Sequence, residues 1–213
     1  MAREWYKIYD SVIDSVCPDY KMGLEAVVNA IPSNAKNIVE LGSGTGELTY
    51  RIAQTYPNTN IVGVDINIPL LDIAKYKSRS YGNVRLLNLD ILGLDFAGFD
   101  TIVSGLVFHL LPQHYRDVIL ERMVSSQASA VVIFDRVKGE TQEKEKTFLE
   151  YFAHNLQGKR LAQDLIEELI KESRINKPMK LSEQKKLFEE NRFMLKILHQ
   201  NPNHGFVTYG FYR

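Results

Sequence analysis

Apolar positions along the chain follow two rhythms that take turns. Short continuous apolar runs, rich in β-branched residues, occur at 37–41, 60–67, 83–89, 99–104 and 128–134, which is the signature of strands buried on both faces. Between them the apolar positions recur at helical spacing. Leu48, Ile52 and Tyr56 follow the first run, Leu70, Leu71, Ile73 and Ala74 mark a helix at 69–80, and Val118, Ile119, Leu120 and Met123 mark one at 113–126. Pro69 suits the first turn of its helix. Strands that alternate with helices and read apolar on both faces predict a doubly wound, mainly parallel α/β sheet.

The flanks differ. Trp5, Ile8, Tyr9, Val12, Ile13 and Val16 form the stripe of an amphipathic helix over 4–17 that Pro18 ends. Asp19 is placed to cap a second helix through Ala30. Residues 140–176 carry no strand signal and read as two helices, 140–156 and 160–173, broken at Gln157-Gly158. Pro178 stops them. A helix at 181–190 follows, with Ser182 as its cap and Asn191 in the left-handed turn that ends it. Two further strands, 193–199 and 205–212, close the chain as an antiparallel hairpin and bring the sheet to seven strands. The division expected is one domain over 1–213: N-terminal helices at 1–31, a core at 37–136, a helical insertion at 140–177, and a last helix and hairpin at 181–213.

The first strand runs into Gly42-Ser43-Gly44-Thr45-Gly46 and then into a helix. Three glycines in five residues let a ligand approach the backbone at a helix N-terminus. A dinucleotide fingerprint places another glycine where Glu47 stands, and a carboxylate there sits badly against a pyrophosphate. A phosphate-binding P-loop needs a Gly-Lys-Ser/Thr ending, and the turn has no lysine. Glu40, beside the turn, suits a ligand with an ammonium group. Asp65, at the end of the second strand, lies at the ligand edge of such a sheet and suits a sugar's hydroxyls.

The stretch Val39–Gly46, V-E-L-G-S-G-T-G, resembles the first motif of class I S-adenosylmethionine-dependent methyltransferases. The resemblance implies S-adenosylmethionine as cofactor and a Rossmann-like seven-stranded sheet with N-terminal helices and a helical lid. It assigns the amino-acid tail of the cofactor to Glu40, Gly42, Ser43, Gly44 and Gly46. Asp65 then takes the ribose, Ile66 and Ile91 the adenine ring, and Asp90 the adenine amino group, with Asp95 its competitor. The segment from Ser104 to Pro112, S-G-L-V-F-H-L-L-P, resembles the S-x-x-x-x-H-H-L stretch of small-molecule methyltransferases. It puts Ser104 beside the methionine moiety and makes His109 the catalytic candidate, as a base or substrate contact, with Leu110 replacing the second histidine. Tyr20 matches a tyrosine near the methyl donor in relatives with these N-terminal helices. By position alone Tyr6, Tyr9 and Tyr20 are candidates for a cation–π contact with the sulfonium.

Composition narrows the partners. Twenty-six basic and 26 acidic residues cancel, so no global charge draws the chain to nucleic acid or an anionic membrane. The N/D-P-P-Y/F signature of base and glutamine methylases is absent. Cys17 is the single cysteine, which rules out an intramolecular disulfide or a cysteine-based zinc site and favours a reducing cytoplasm. The N-terminus does not read as a signal peptide, and no histidine and carboxylate spacing suggests a metal site. His154 and Asp135 are further candidates near the pocket, whereas His114, His199 and His204 read as surface or hairpin residues. The function expected is N- or O-methylation of a small molecule, with a homodimer left open. The alternatives are a tRNA wobble-uridine enzyme related to carboxy-S-adenosylmethionine chemistry, and a non-catalytic protein that binds S-adenosylmethionine.

Overall fold

The computed structural model describes residues 8–159, 161–175 and 178–213. Trp5 and Tyr6 lie outside the described residues. Seven strands form one sheet: β1 Asn37–Leu41, β2 Asn60–Asp65, β3 Val84–Asn88, β4 Thr101–Gly105, β5 Ala130–Arg136, β6 Met194–Gln200 and β7 Phe206–Tyr212. Their order is β3-β2-β1-β4-β5-β7-β6. Strands β1 to β5 are parallel, and β7 runs antiparallel to both β5 and β6. The helices are α1 Tyr9–Val16, α2 Tyr20–Ala30, α3 Glu47–Thr55, α4 Ile68–Ser78, α5 Gln113–Ser125, α6 Gln142–Gln157, α7 Gln163–Ile175 and α8 Leu181–Glu190. Among the described residues no helix is long and apolar enough to cross a membrane.

Alternation along each strand feeds two cores. Ile38, Val103, Val132 and Phe134 pack with Leu24 and Val27 of α2 and with Leu48 and Ile52 of α3. Val39, Leu41, Ile102, Val131 and Ile133 face the other way, onto Ile119, Leu120 and Met123 of α5 and Phe188 of α8. Each such side chain contributes about 1.5–3 kcal/mol on burial, so the central strands are held firmly from both sides. After β1 the chain moves outward through β2 and β3, then returns to place β4 on the other flank of β1. That reversal leaves a crevice over the C-terminal ends of β1 and β4, where open α/β sheets bind their ligands.

Several local expectations change. Asp19 does not cap α2. Its φ is +63° and it makes no side-chain cap; its carboxylate instead accepts from His199 Nε2 (3.3 Å), His204 Nε2 (3.2 Å) and Asn201 Nδ2 (3.4 Å). His204 is therefore buried rather than on the surface, because it ties the β6–β7 hairpin to the α1–α2 junction. Ser182 lies within α8 and donates to Glu140 Oε2 at 2.6 Å, while Glu183 accepts from the Lys180 N–H at 3.2 Å. The left-handed residue after α8 is Arg192, not Asn191. On α5, Val118 is exposed and Arg116 is buried in the wall instead. β5 reaches Arg136, two residues beyond the expected end, because β7 pairs with it there.

Candidate functional site

The glycine turn is shaped by close packing. Gly42 has φ +66°, and a Cβ there would stand 2.3 Å from Val107 Cγ2. Gly46 has φ +78°, and its Cβ would meet the Ala74 Cβ of α4 at 2.7 Å. Only glycine fits both the backbone and the space. The turn is pinned by Ser43 N–H donating to the Val64 carbonyl (2.9 Å) and Gly46 N–H to the Ser43 carbonyl (2.8 Å). At Gly44 the side-chain direction is open, with no atom nearer than 4.0 Å.

Asp65 closes the turn from the neighbouring strand. Its Oδ2 accepts from the Gly44 N–H and its Oδ1 from the Asn67 N–H, both at 2.8 Å. A carboxylate offers about four acceptor sites, so each oxygen retains capacity for a ligand hydroxyl. Ile66, next in sequence, is 71% exposed. Asp90 follows β3, the strand paired with β2; it is exposed, and its Oδ1 accepts from the Leu92 N–H at 2.9 Å. Ile91 beside it is half-buried. Two acids and an exposed isoleucine at adjacent strand ends make a surface with both apolar and hydrogen-bonding character.

Glu40 is different in kind. It is 2% exposed and accepts from the Thr49 hydroxyl of α3. Burial pushes its carboxyl up to about 8, the Asp65 charge adds to this, and the Thr49 bond opposes it. Helix α1 is docked across the turn: Asp10 accepts from the Thr45 hydroxyl at 2.7 Å and pairs with Lys77 at 2.7 Å. Glu47 pairs with Arg51 at 2.8 Å and Lys77 at 3.7 Å, which neutralises the acid at the head of α3.

The other end of the crevice carries a second group. After β4 the chain passes Leu106, whose φ is +61°, an uncommon conformation for a bulky residue. A 3-10 turn follows at Phe108–Leu110. There His109 Nδ1 meets Asp135 Oδ1 at 2.5 Å. Asp135, at the end of β5, is 1% exposed and also accepts from the N–H groups of Phe108 (2.6 Å) and Arg136 (2.7 Å). An ionised carboxylate only accepts, so this contact suits the imidazole tautomer that carries its proton on Nδ1, in which Nε2 is an acceptor. His109 lines a cavity of about 300 Å³, together with Tyr9 and Cys17, Leu106, Phe152 of α6 and Leu169 of α7. Burial raises the Tyr9 phenol, and Cys17, Asp10, Asp65 and Asp135 add to it. A larger groove, about 630 Å³, runs between Lys138, Glu145 and Lys180 and touches neither the glycine turn nor His109.

The methyltransferase-domain family matches residues 38–128, from β1 to just before β5. Over that stretch the chain is similar to a class I methyltransferase domain. The cofactor implied by that family is S-adenosylmethionine. The domain is 25% identical over 128 residues to carboxy-S-adenosyl-L-methionine synthase of Nautilia profundicola, covering 58% of this chain and 55% of that protein. It is 33% identical over 93 residues to demethylmenaquinone methyltransferase of Thermus thermophilus, covering 42% of each. The matches thus span about half the length of these curated relatives. In fold it is similar to a putative O-methyltransferase from Nostoc punctiforme, with a TM-score of 0.65, 15% identity, and coverage of 98% of this chain and 60% of that one.

The methyltransferase domain gathers the residues singled out in the sequence unequally. Gly42, Gly44, Gly46, Asp65, Ile66, Asp90 and Ile91 sit at the strand ends where a cofactor would be held. The side chain of Ser43 packs over Gly63, where a Cβ would lie 3.0 Å from its own, and its hydroxyl is buried without a partner. Ser43 therefore shapes the turn through its backbone. Ser104 is fully buried and donates to the Leu41 carbonyl at 3.2 Å, so it lies beneath the crevice. Tyr20 is buried with its ring 6.4 Å from Phe134, and Tyr9 rather than Tyr20 reaches the cavity wall. His154 is exposed on α6 and is not among the cavity's residues. Sequence reasoning found His109 and Asp135 separately but did not join them. Their contact depends on the β4–β5 register, in which Gly105 faces Phe134, and no spacing along the chain announces it. Arg136 is legible in the sequence beside Asp135 at the ligand end of the fifth strand, though with no role attached; Arg116 was missed, and an arginine on the apolar face of its helix was the available signal.

Proposed function

We propose that this chain methylates a small molecule, using S-adenosylmethionine and taking the acceptor's proton onto His109. The observation that carries the reading is the His109–Asp135 pair, whose histidine lines a mainly apolar cavity. The residues suit the cofactor: Asp65 holds the ribose, Ile66 and Ile91 flank the adenine, and Asp90 meets its amino group. Gly42, Gly44 and Gly46 leave room for the amino-acid tail, whose ammonium Glu40 balances. S-adenosylmethionine supplies an electrophilic methyl group. The chain's own part is to hold the acceptor in line and dry, and such positioning is worth about 7–11 kcal/mol. His109 Nε2 receives the proton that a hydroxyl or ammonium acceptor must lose, while Asp135 fixes the ring and offsets the charge it gains. Helices α6 and α7 act as the lid of the acceptor cavity. A cavity of about 300 Å³ lies at the small end for ligand sites, which favours a small metabolite over a nucleic acid.

The test is calorimetry with S-adenosylmethionine and S-adenosylhomocysteine, followed by labelled methyl transfer into a metabolite extract. Micromolar binding and a labelled product support the proposal; no binding at millimolar ligand overturns it. The likeness to carboxy-S-adenosyl-L-methionine synthase favours a second reading, in which the cofactor itself is the molecule altered. Mass spectrometry of the nucleotide carried by freshly purified protein separates the two.

A further inference from the structure

Two arginines, Arg116 and Arg136, line one small cavity with the His109–Asp135 pair. Arg116 of α5 is 2% exposed; its Nη1 makes only a long bond, 3.4 Å, to the Phe108 carbonyl, and its Nε has no partner. Arg136 at the end of β5 is 9% exposed; its Nη2 donates to Glu145 Oε1 at 2.5 Å, and its Nη1 has no partner. These are two of the three buried side-chain atoms left unpaired among the described residues. Both side chains line one cavity of about 10 Å³, with His109, Asp135, Gln184 and Tyr209. That volume is near the least that holds one water molecule and leaves no room for a larger ligand. A guanidinium has donors only, and a water accepts two hydrogen bonds. Asp135 lies on the same wall as an acceptor for the water's own protons.

The charge around Asp135 points the same way. Besides His109, which pairs with it directly, the charge of Asp135 is felt by Tyr9 of α1 and Cys17 after it, Arg116 of α5 and Tyr209 of β7. Burial pushes Tyr9, Cys17 and Tyr209 upward, so they are neutral. Arg116 alone of these four supplies positive charge. It also faces Asp117 and Glu183.

We propose that one buried water joins Arg116 Nε to Arg136 Nη1 beneath Asp135, and that Arg116 is thereby a positioning residue for His109. The water site stands on the fold; the consequence for catalysis rests on His109 being the base. Arg116 holds the 3-10 turn through the Phe108 carbonyl, and the water ties that hold to the strand end carrying Asp135. Together they keep the imidazole from turning its Nδ1 away.

A high-resolution crystal structure of the ligand-free protein is expected to show an ordered water within about 3.2 Å of both nitrogen atoms. A dry cavity overturns the proposal. So does a site that fills with bromide in an anomalous map, which marks an ion in place of water. The second readout is the His109 Nδ1 proton resonance in the ligand-free protein. In Arg116→Met its exchange with solvent is expected to quicken by about tenfold or more, with kcat lowered and KM little changed. Arg116→Lys, which keeps the charge and loses the Nε donor, is expected to lie between. An unchanged resonance in Arg116→Met, with kcat within about twofold of the parent, overturns the positioning role. If the Met variant does not fold, the Lys variant and the crystal structure decide. Neither the crystal structure nor the resonance needs methyl transfer. Loss of the proposed activity would therefore remove the catalytic reading without touching the water site.

Discussion

Glu40→Gln tests the electrostatics of the glycine turn most directly. The Glu40 side chain is buried in the α3 face of the sheet with the Thr49 hydroxyl as its hydrogen-bond partner. Burial raises its carboxyl from 4.5 to about 8. The folded protein therefore holds this proton where the unfolded chain has released it. Stability from this group is complete below pH 4.5, declines as pH rises, and is lost once pH passes the folded value of about 8. Each pKa unit is worth about 1.4 kcal/mol, so between pH 5 and pH 8 the parent should lose on the order of 3–4 kcal/mol relative to a variant that cannot ionise. Glutamine keeps an oxygen for the Thr49 hydroxyl and carries no charge. Urea unfolding at pH 5, 6.5 and 8 measures the difference. The Gln variant is expected to gain on the parent steadily across that range, and to bind S-adenosylhomocysteine more weakly because a bound ammonium favours ionisation of Glu40, which glutamine cannot follow. A constant difference between the two proteins from pH 5 to 8 refutes the reasoning, since a carboxyl with an ordinary pKa would be ionised in both states throughout.

Other perturbations have defined directions. Asp65→Ala removes two hydrogen bonds to a charged acceptor, each about 1.5–3 kcal/mol, and should weaken S-adenosylhomocysteine by on the order of 100-fold or more; calorimetry within a few-fold of the parent would count against the ribose assignment. His109→Gln should lower kcat by about 10²–10⁴ with cofactor affinity kept, and Asp135→Asn should do likewise by favouring the wrong tautomer; full turnover in both would remove the dyad from the reaction. Gly42→Ala combines φ +66° with a Cβ 2.3 Å from Val107 and should cost about 2–4 kcal/mol, seen as a fall in Tm. Adding Val107→Ala should recover the clash and leave the backbone strain, so no recovery would mean that the contact is not the cause.

The sequence by itself determined the sheet and one half of the crevice. Continuous apolar runs mark strands that need cover on both faces, and the helical stretches between them supply it, so the parallel core follows from period and length. The glycine turn and Asp65 were legible because both belong to a strand and the turn beside it, where the chemistry is local. The placement of Ile66, Asp90 and Ile91 just beyond their strands follows in the same way. Tertiary structure decided what depends on register and burial. Asp135 reaches His109 only because β4 and β5 are neighbours in a fixed register. Asp19 looked like a helix cap, but two histidines from the far hairpin compete for its carboxylate and win. Ser104 and Tyr20 carry groups of the right type, yet the packing of β1 and Phe134 claims them. Arg116 falls on the apolar face of its helix in the sequence, but only the fold shows that it is enclosed with the dyad. Periodicity reports which face of an element meets the core. Which polar groups are then enclosed together, and so must satisfy one another, is settled only when elements distant in the chain pack.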